Sequence, residues 1–142
     1  VRRQRQMCIE TALGLEIPEE YVREGVYHDP DRCAGLTQEL LRLPEPPTCI
    51  LMPDDFSSIG GGNAIRRMGL RFPEDVSAAG YDGIQLASVT NPAMTTYRQD
   101  TAALGKTAAA KLIELIEKPR TALVDRILIP GKLVEGGSVR AI

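Results

Sequence analysis

Ile50-Leu51-Met52-Pro53-Asp54-Asp55 and Val76-Ser77-Ala78-Ala79-Gly80-Tyr81-Asp82 are two apolar runs that each stop at aspartate. An apolar run of strand length with no polar alternation fits a strand covered on both faces, as in a parallel sheet. After the first run, Phe56, Ile59, Gly60, Asn63, Ala64 and Met68 recur at helical spacing, and Gly69 stands where a left-handed helix cap belongs. A strand that ends on a carboxylate and passes into a helix is how an open α/β sheet presents polar groups to a ligand.

Working outward, the same alternation continues. Met7, Cys8, Thr11, Ala12 and Leu15 predict an opening helix to about Gly14. Tyr21 to Tyr27 reads as a short strand. Asp29 then caps a helix with Pro30 at its first position, running through Cys33, Leu36, Thr37, Leu40 and Leu41 to a break at Pro44. On the carboxyl side, Thr90-Asn91-Pro92 is a turn and Thr95 to Tyr97 a brief strand. Asp100 caps the longest helix, whose Ala103, Leu104, Thr107, Ala108, Leu112, Leu115 and Ile116 share a face until Pro119. A closing strand pair, Ile127 to Ile129 and Lys132 to Val134, turns at Pro130-Gly131. The expectation is an α/β fold, a three-layer parallel sheet with helices on both faces and right-handed crossovers.

With 142 residues, 43% hydrophobic and 25% charged, the chain suffices for one domain and not for two ordinary ones. A net charge of -2 argues against a broad phosphate-binding surface, and Arg2, Arg3 and Arg5 read as a solvated helix face. Cys8, Cys33 and Cys49 are odd in number and far apart, which suits neither a disulfide framework nor a paired zinc site. The single histidine, His28, reads as a loop residue beside Asp29, so no metal and no cofactor is expected. No run is long enough to span a bilayer, and Val1-Arg2-Arg3-Gln4-Arg5 lacks the apolar core of a signal peptide; a cytoplasmic location is expected.

Pro47 to Ile50, Asp54-Asp55, Gly60, Ala64, the run Gly69-Leu70-Arg71-Phe72-Pro73-Glu74-Asp75-Val76-Ser77, Gly80-Tyr81-Asp82 and Thr95-Thr96 occur in this order. Together they resemble the carboxyl-terminal part of the effector-binding region of LacI/GalR-family transcriptional regulators. Gly105, Ala108 to Leu112, Leu115-Ile116, Ile129-Pro130 and Leu133-Val134 continue the likeness. The resemblance implies a periplasmic-binding-protein-like pair of subdomains with a small-molecule effector, a sugar or nucleobase, in the cleft between them. It also implies operator binding through an amino-terminal headpiece. On this reading, residues 1–142 are a partial effector-binding and dimerisation domain, mainly the second subdomain. The chain begins too late for the headpiece, for most of the first subdomain and for the strand ahead of its first helix. In the family the helix 100–117 would pack on the missing half; here it either re-docks on this subdomain or two chains exchange segments to cover it.

The resemblance further implies Arg5, Asp54, Asp82 and Gln99 as effector contacts. An arginine fork can bridge vicinal hydroxyls, and the Asp82 carboxylate can accept two hydroxyl hydrogen bonds, each contributing roughly 1.5 to 3 kcal/mol. Asp54 stands where the family often has asparagine, and ionised Asp only accepts. Asp55 reads as the helix cap. Gly83 and Gly136 depart from an acidic residue and an arginine usual at those places. Phe56, Ile59, Ile65, Ile84, Leu86 and Val89 would form the contact of a homodimer. Three rivals remain open on the residues alone. One is a fragment of a periplasmic sugar-binding protein; another is a metal-dependent α/β enzyme using Asp54, Asp55 and Asp82, for which no accompanying Lys or Ser/Thr motif is visible; the third is a stand-alone association domain with no effector.

Overall fold

The computed structural model describes Gly14, residues 17–119 and residues 126–140. The opening helix and Arg5 lie outside these. Helix α1 (Pro30–Leu41) starts as anticipated: Asp29 accepts the Arg32 N–H at 2.8 Å, and Pro30 takes a first-turn position where its missing N–H is no loss. Strand β1 (Cys49–Leu51), helix α2 (Asp55–Arg67), strand β2 (Ser77–Asp82), strand β3 (Thr95–Arg98), helix α3 (Thr101–Glu117) and strand β4 (Lys132–Val134) follow. The sheet order is β1-β2-β3-β4; the first three strands are parallel, and β4 is antiparallel to β3.

Helices α1 and α2 pack on each other. Gly60 lies against the Pro30 carbonyl, where any Cβ would overlap backbone, so the glycine run trades helix propensity for a close crossing. Because strand side chains alternate, Ile50, Met52 and Ala78 face inward, joining Leu40, Leu41, Ile65, Phe72, Val76 and Met94 in the core. On the opposite face Leu51 (75% exposed) and Leu133 (60%) are open, and Tyr81 stacks on its register partner Tyr97 at 5.6 Å between ring centres. Helix α3 is capped by Asp100, which accepts the Ala103 N–H, but none of its side chains is buried. Leu104, Leu112, Ile113, Leu115 and Ile116 are all exposed.

Two expected strands do not form. Glu19–Tyr21 is a single 3-10 turn and residues 22–26 have no ladder. This segment is tied down at Tyr21, which donates to the Glu45 carbonyl, and at His28, whose N–H donates to Asp54; a cavity of about 500 Å³ parts it from β1. Residues 127–129 are likewise outside any strand. Their expected partner, Lys132–Val134, pairs antiparallel with β3 instead, from Thr96↔Val134 to Arg98↔Lys132.

Beyond β4 the chain returns to the sheet at Ser138, which is fully buried. Its hydroxyl accepts the Thr95 N–H and donates to the Ala78 carbonyl, each at 2.7 Å, and its carbonyl accepts the Ala78 N–H at 2.9 Å. Ser138→Ala leaves a buried donor and a buried acceptor without the hydroxyl between them. Urea unfolding should show a loss of about 1–3 kcal/mol; an unchanged midpoint would show that the strap does not hold β2 to β3.

Candidate functional site

The site forms where β1 and β2 end. Asp54, extended at φ -158°, is the cap of α2 and is fully buried. Its Oδ1 accepts the Ser57 N–H at 2.9 Å, and Oδ2 accepts the Ser57 hydroxyl at 2.8 Å and the His28 N–H at 3.1 Å. Asp55 is one residue inside the helix and also fully buried, with Oδ2 accepting the Ile84 N–H at 2.8 Å. The expectations for both aspartates are therefore corrected. Asp54 caps and has no exposed surface to offer an effector, and Asp55 does not cap but ties α2 to the loop after β2.

Of the two strand-end carboxylates Asp82 is the one that keeps some surface, being partly buried. It closes β2 at φ +103°, a conformation that costs a non-glycine residue about 1–3 kcal/mol and marks functional positions. Gln99 holds it there: the Gln99 N–H donates to the Asp82 carbonyl at 3.3 Å, and its side-chain amide donates to Asp82 Oδ1 at 2.5 Å. Asp82 Oδ2 stays 3.9 Å from His28 Nε2. His28 itself sits in the left-handed region at φ +58°, which histidine tolerates better than most residues. Its ring meets Phe56 edge-on at 5.5 Å and Tyr27 at 6.2 Å. The result is a carboxylate with free acceptor capacity beside an aromatic shelf.

The structure brings Gln99 against Asp82 and sets His28 and Tyr27 beside them, two residues that sequence reasoning left out. The signal was available: His28 ends a segment read as a strand, and strand ends are where such sheets bind. Of the anticipated dimer residues, Phe56, Leu86 and Val89 are exposed, and Ile59 and Ile84 are partly covered. Ile65 is fully buried in the core, so it offers no surface to a partner. Cys33 lies beneath the site, its thiol 3.6 Å from the Met52 sulfur, and burial pushes that thiol up. Among the described residues no group of His, Cys, Asp and Glu could hold a metal.

A parallel sheet with aspartates at the ends of β1 and β2, a helix after β1 and one open face is the architecture of a ligand-binding α/β domain. A model for the periplasmic binding protein-like domain matches residues 2–139. The HTH-type transcriptional repressor PurR of Escherichia coli is 33% identical over 130 residues, covering 89% of this chain and 38% of the repressor, and that of Shigella boydii serotype 18 gives the same figures. A transcriptional regulator CelR–cellobiose complex superposes with a TM-score of 0.82 at 29% identity, over 91% of this chain and 39% of that one. The lac repressor dimer bound to operator and the anti-inducer ONPF gives 0.82 at 27%, over 95% and 46%. The chain belongs to the LacI/GalR family of transcriptional regulators and matches the carboxyl-terminal part of their effector-binding domain. It spans less than two fifths of the length of these curated relatives.

Burial pushes the Asp54 carboxyl up, but hydrogen bonds from Ser57 and His28 outweigh it and hold the group below the ordinary carboxylate range. A depressed folded-state pKa means that the cap stabilises fully above the ordinary aspartate value, about 4, and is lost as pH falls through the lowered one. Asp54→Asn, which keeps a capping oxygen but no charge, should flatten the part of the stability–pH curve below pH 4. An identical acid limb in both proteins would remove Asp54 from the account.

Proposed function

We propose that this chain is the effector-sensing and dimerisation portion of a LacI-type regulator and that it recognises a neutral sugar or related polyol. The observation that carries this reading is the pairing of Asp82, positioned by Gln99, with the shelf of His28, Tyr27 and Phe56. A carboxylate accepts from hydroxyls, and aromatic faces suit the apolar face of a sugar ring. The cellobiose complex of a relative supports the same class. Arg5 is assigned to the site through the family likeness. The bare apolar strip of α3 suits packing on the other subdomain of a complete protein, and Phe56, Ile59, Ile84, Leu86 and Val89 suit a homodimer contact. Operator binding belongs to a headpiece that the matched part of the family does not include, and the regulatory, non-enzymatic role of the relatives extends to this chain.

Asp82→Gly is the most telling variant, because glycine relaxes φ +103° while removing the carboxylate. Titrated with cellobiose in the millimolar range, the wild-type chain should show amide shift changes at Asp82, Gln99 and His28. Asp82→Gly should lose them while gaining up to about 1 kcal/mol of stability. Sugar-induced shifts that ignore these residues, or that survive the substitution, would place the effector elsewhere.

A further inference from the structure

Asp82 and His28 face each other across a gap that neither closes. Oδ2 of the carboxylate stands 3.9 Å from Nε2 of the imidazole, beyond the roughly 2.7 to 3.2 Å of a direct N–H to O hydrogen bond. Both sides of the gap are fixed. Asp82 receives two hydrogen bonds from Gln99, one on its carbonyl and one on Oδ1, and Oδ2 is the oxygen turned toward His28. His28 is held through its backbone N–H on Asp54 and through its ring, which meets Phe56 and Tyr27 edge-on. Each of the two side chains keeps part of its surface, so a ligand reaches the gap from solvent.

The width of the gap selects what fills it. Hydrogen bonds of about 2.8 Å to each side, set on a base of 3.9 Å, meet at one bridging atom at an angle of about 90°. A single small polar group therefore reaches both. The two sides make different demands on it. An ionised carboxylate only accepts, whereas an imidazole with its proton on Nε2 donates from that nitrogen. A hydroxyl has one proton to give and lone pairs with which to receive, so it satisfies both at once. An ammonium group satisfies Asp82 and leaves the imidazole N–H without an acceptor. A carbonyl or ether oxygen satisfies the imidazole and turns a lone pair on the carboxylate.

We infer that His28 is a specificity-determining residue of the effector site: Asp82 Oδ2 and His28 Nε2 together clamp one hydroxyl group of the effector. The inference rests on the effector reading and deepens it in one respect. His28 gains a polar contact beside its place in the aromatic shelf, and a hydroxyl becomes the group that the site demands at this point. Both partners are positioned before the ligand arrives, which leaves little ordering to be done on binding.

The test titrates the 142-residue chain with cellobiose in the millimolar range at about pH 8, above the ordinary histidine pKa of about 6.5. His28→Phe keeps a ring against Phe56 and Tyr27 but cannot donate, and should bind about three- to tenfold more weakly, the share of one hydrogen bond. His28→Gln sets an amide N–H near the same point and should recover most of that loss. In the wild-type chain, long-range proton–nitrogen spectra should show the ring proton on Nε2, with its exchange slowed by the sugar; this readout needs no variant to fold. Equal affinity of the wild type and His28→Phe, with sugar shifts still lost in Asp82→Gly, would overturn the inference and leave the effector reading standing. So would a complex in which the ring proton stays on Nδ1. Absence of any cellobiose-induced shift at Asp82, or shifts that survive Asp82→Gly, would overturn both.

Discussion

The buried carboxylate of Asp54 is the interaction on which the rest of the structure depends. It accepts three hydrogen bonds, two from Ser57 at the start of α2 and one from the His28 backbone. The first two fix where the helix begins; the third fixes where the segment before α1 ends. One group thus pins the turn that carries His28 to the terminus of β1, next to the end of β2. Without that tie, His28 would have no reason to stand 3.9 Å from Asp82. An unpaired buried carboxylate is costly, so the site is held by a group that cannot easily let go.

This constraint also separates two tasks that adjacent aspartates could have shared. Asp54 and Asp55 are each suited to cap a helix, and a one-residue shift in the helix start exchanges their roles. The choice depends on where helical backbone begins, which only the packed structure decides. The apolar runs, the caps at Asp29 and Asp100, and the left-handed Gly69 were legible because each is local chemistry. Asp82 and Gln99 were named through the family likeness, but their contact with each other was not legible in the sequence. His28 was not, because its role comes from two contacts distant in sequence, Asp54 and Asp82. The failed strand at Tyr21 to Tyr27 has the same cause: its residues suit a strand, but a strand exists only where a neighbour completes its ladder.

Two surfaces have the character of interiors. The sheet face with Leu51, Tyr81, Tyr97 and Leu133 and the apolar strip of α3 expose large side chains that soluble domains usually cover. The chain spans less than two fifths of the length of its curated relatives. The core beneath α1 and α2, by contrast, is closed by Ile65, Met52, Ala78 and Phe72. The strand-end site with Asp82, Gln99 and His28 rests on that closed side.

The central claim, that Asp54 positions the site through His28, is tested most directly by native-state amide exchange at His28 in the wild-type chain and in Asp54→Ala. The account predicts that the His28 and Ser57 amides lose protection together while the amides of β2 and β3 keep theirs. His28 exchange that is the same in both proteins would contradict it, and would mean that the turn is held by something other than the cap of α2.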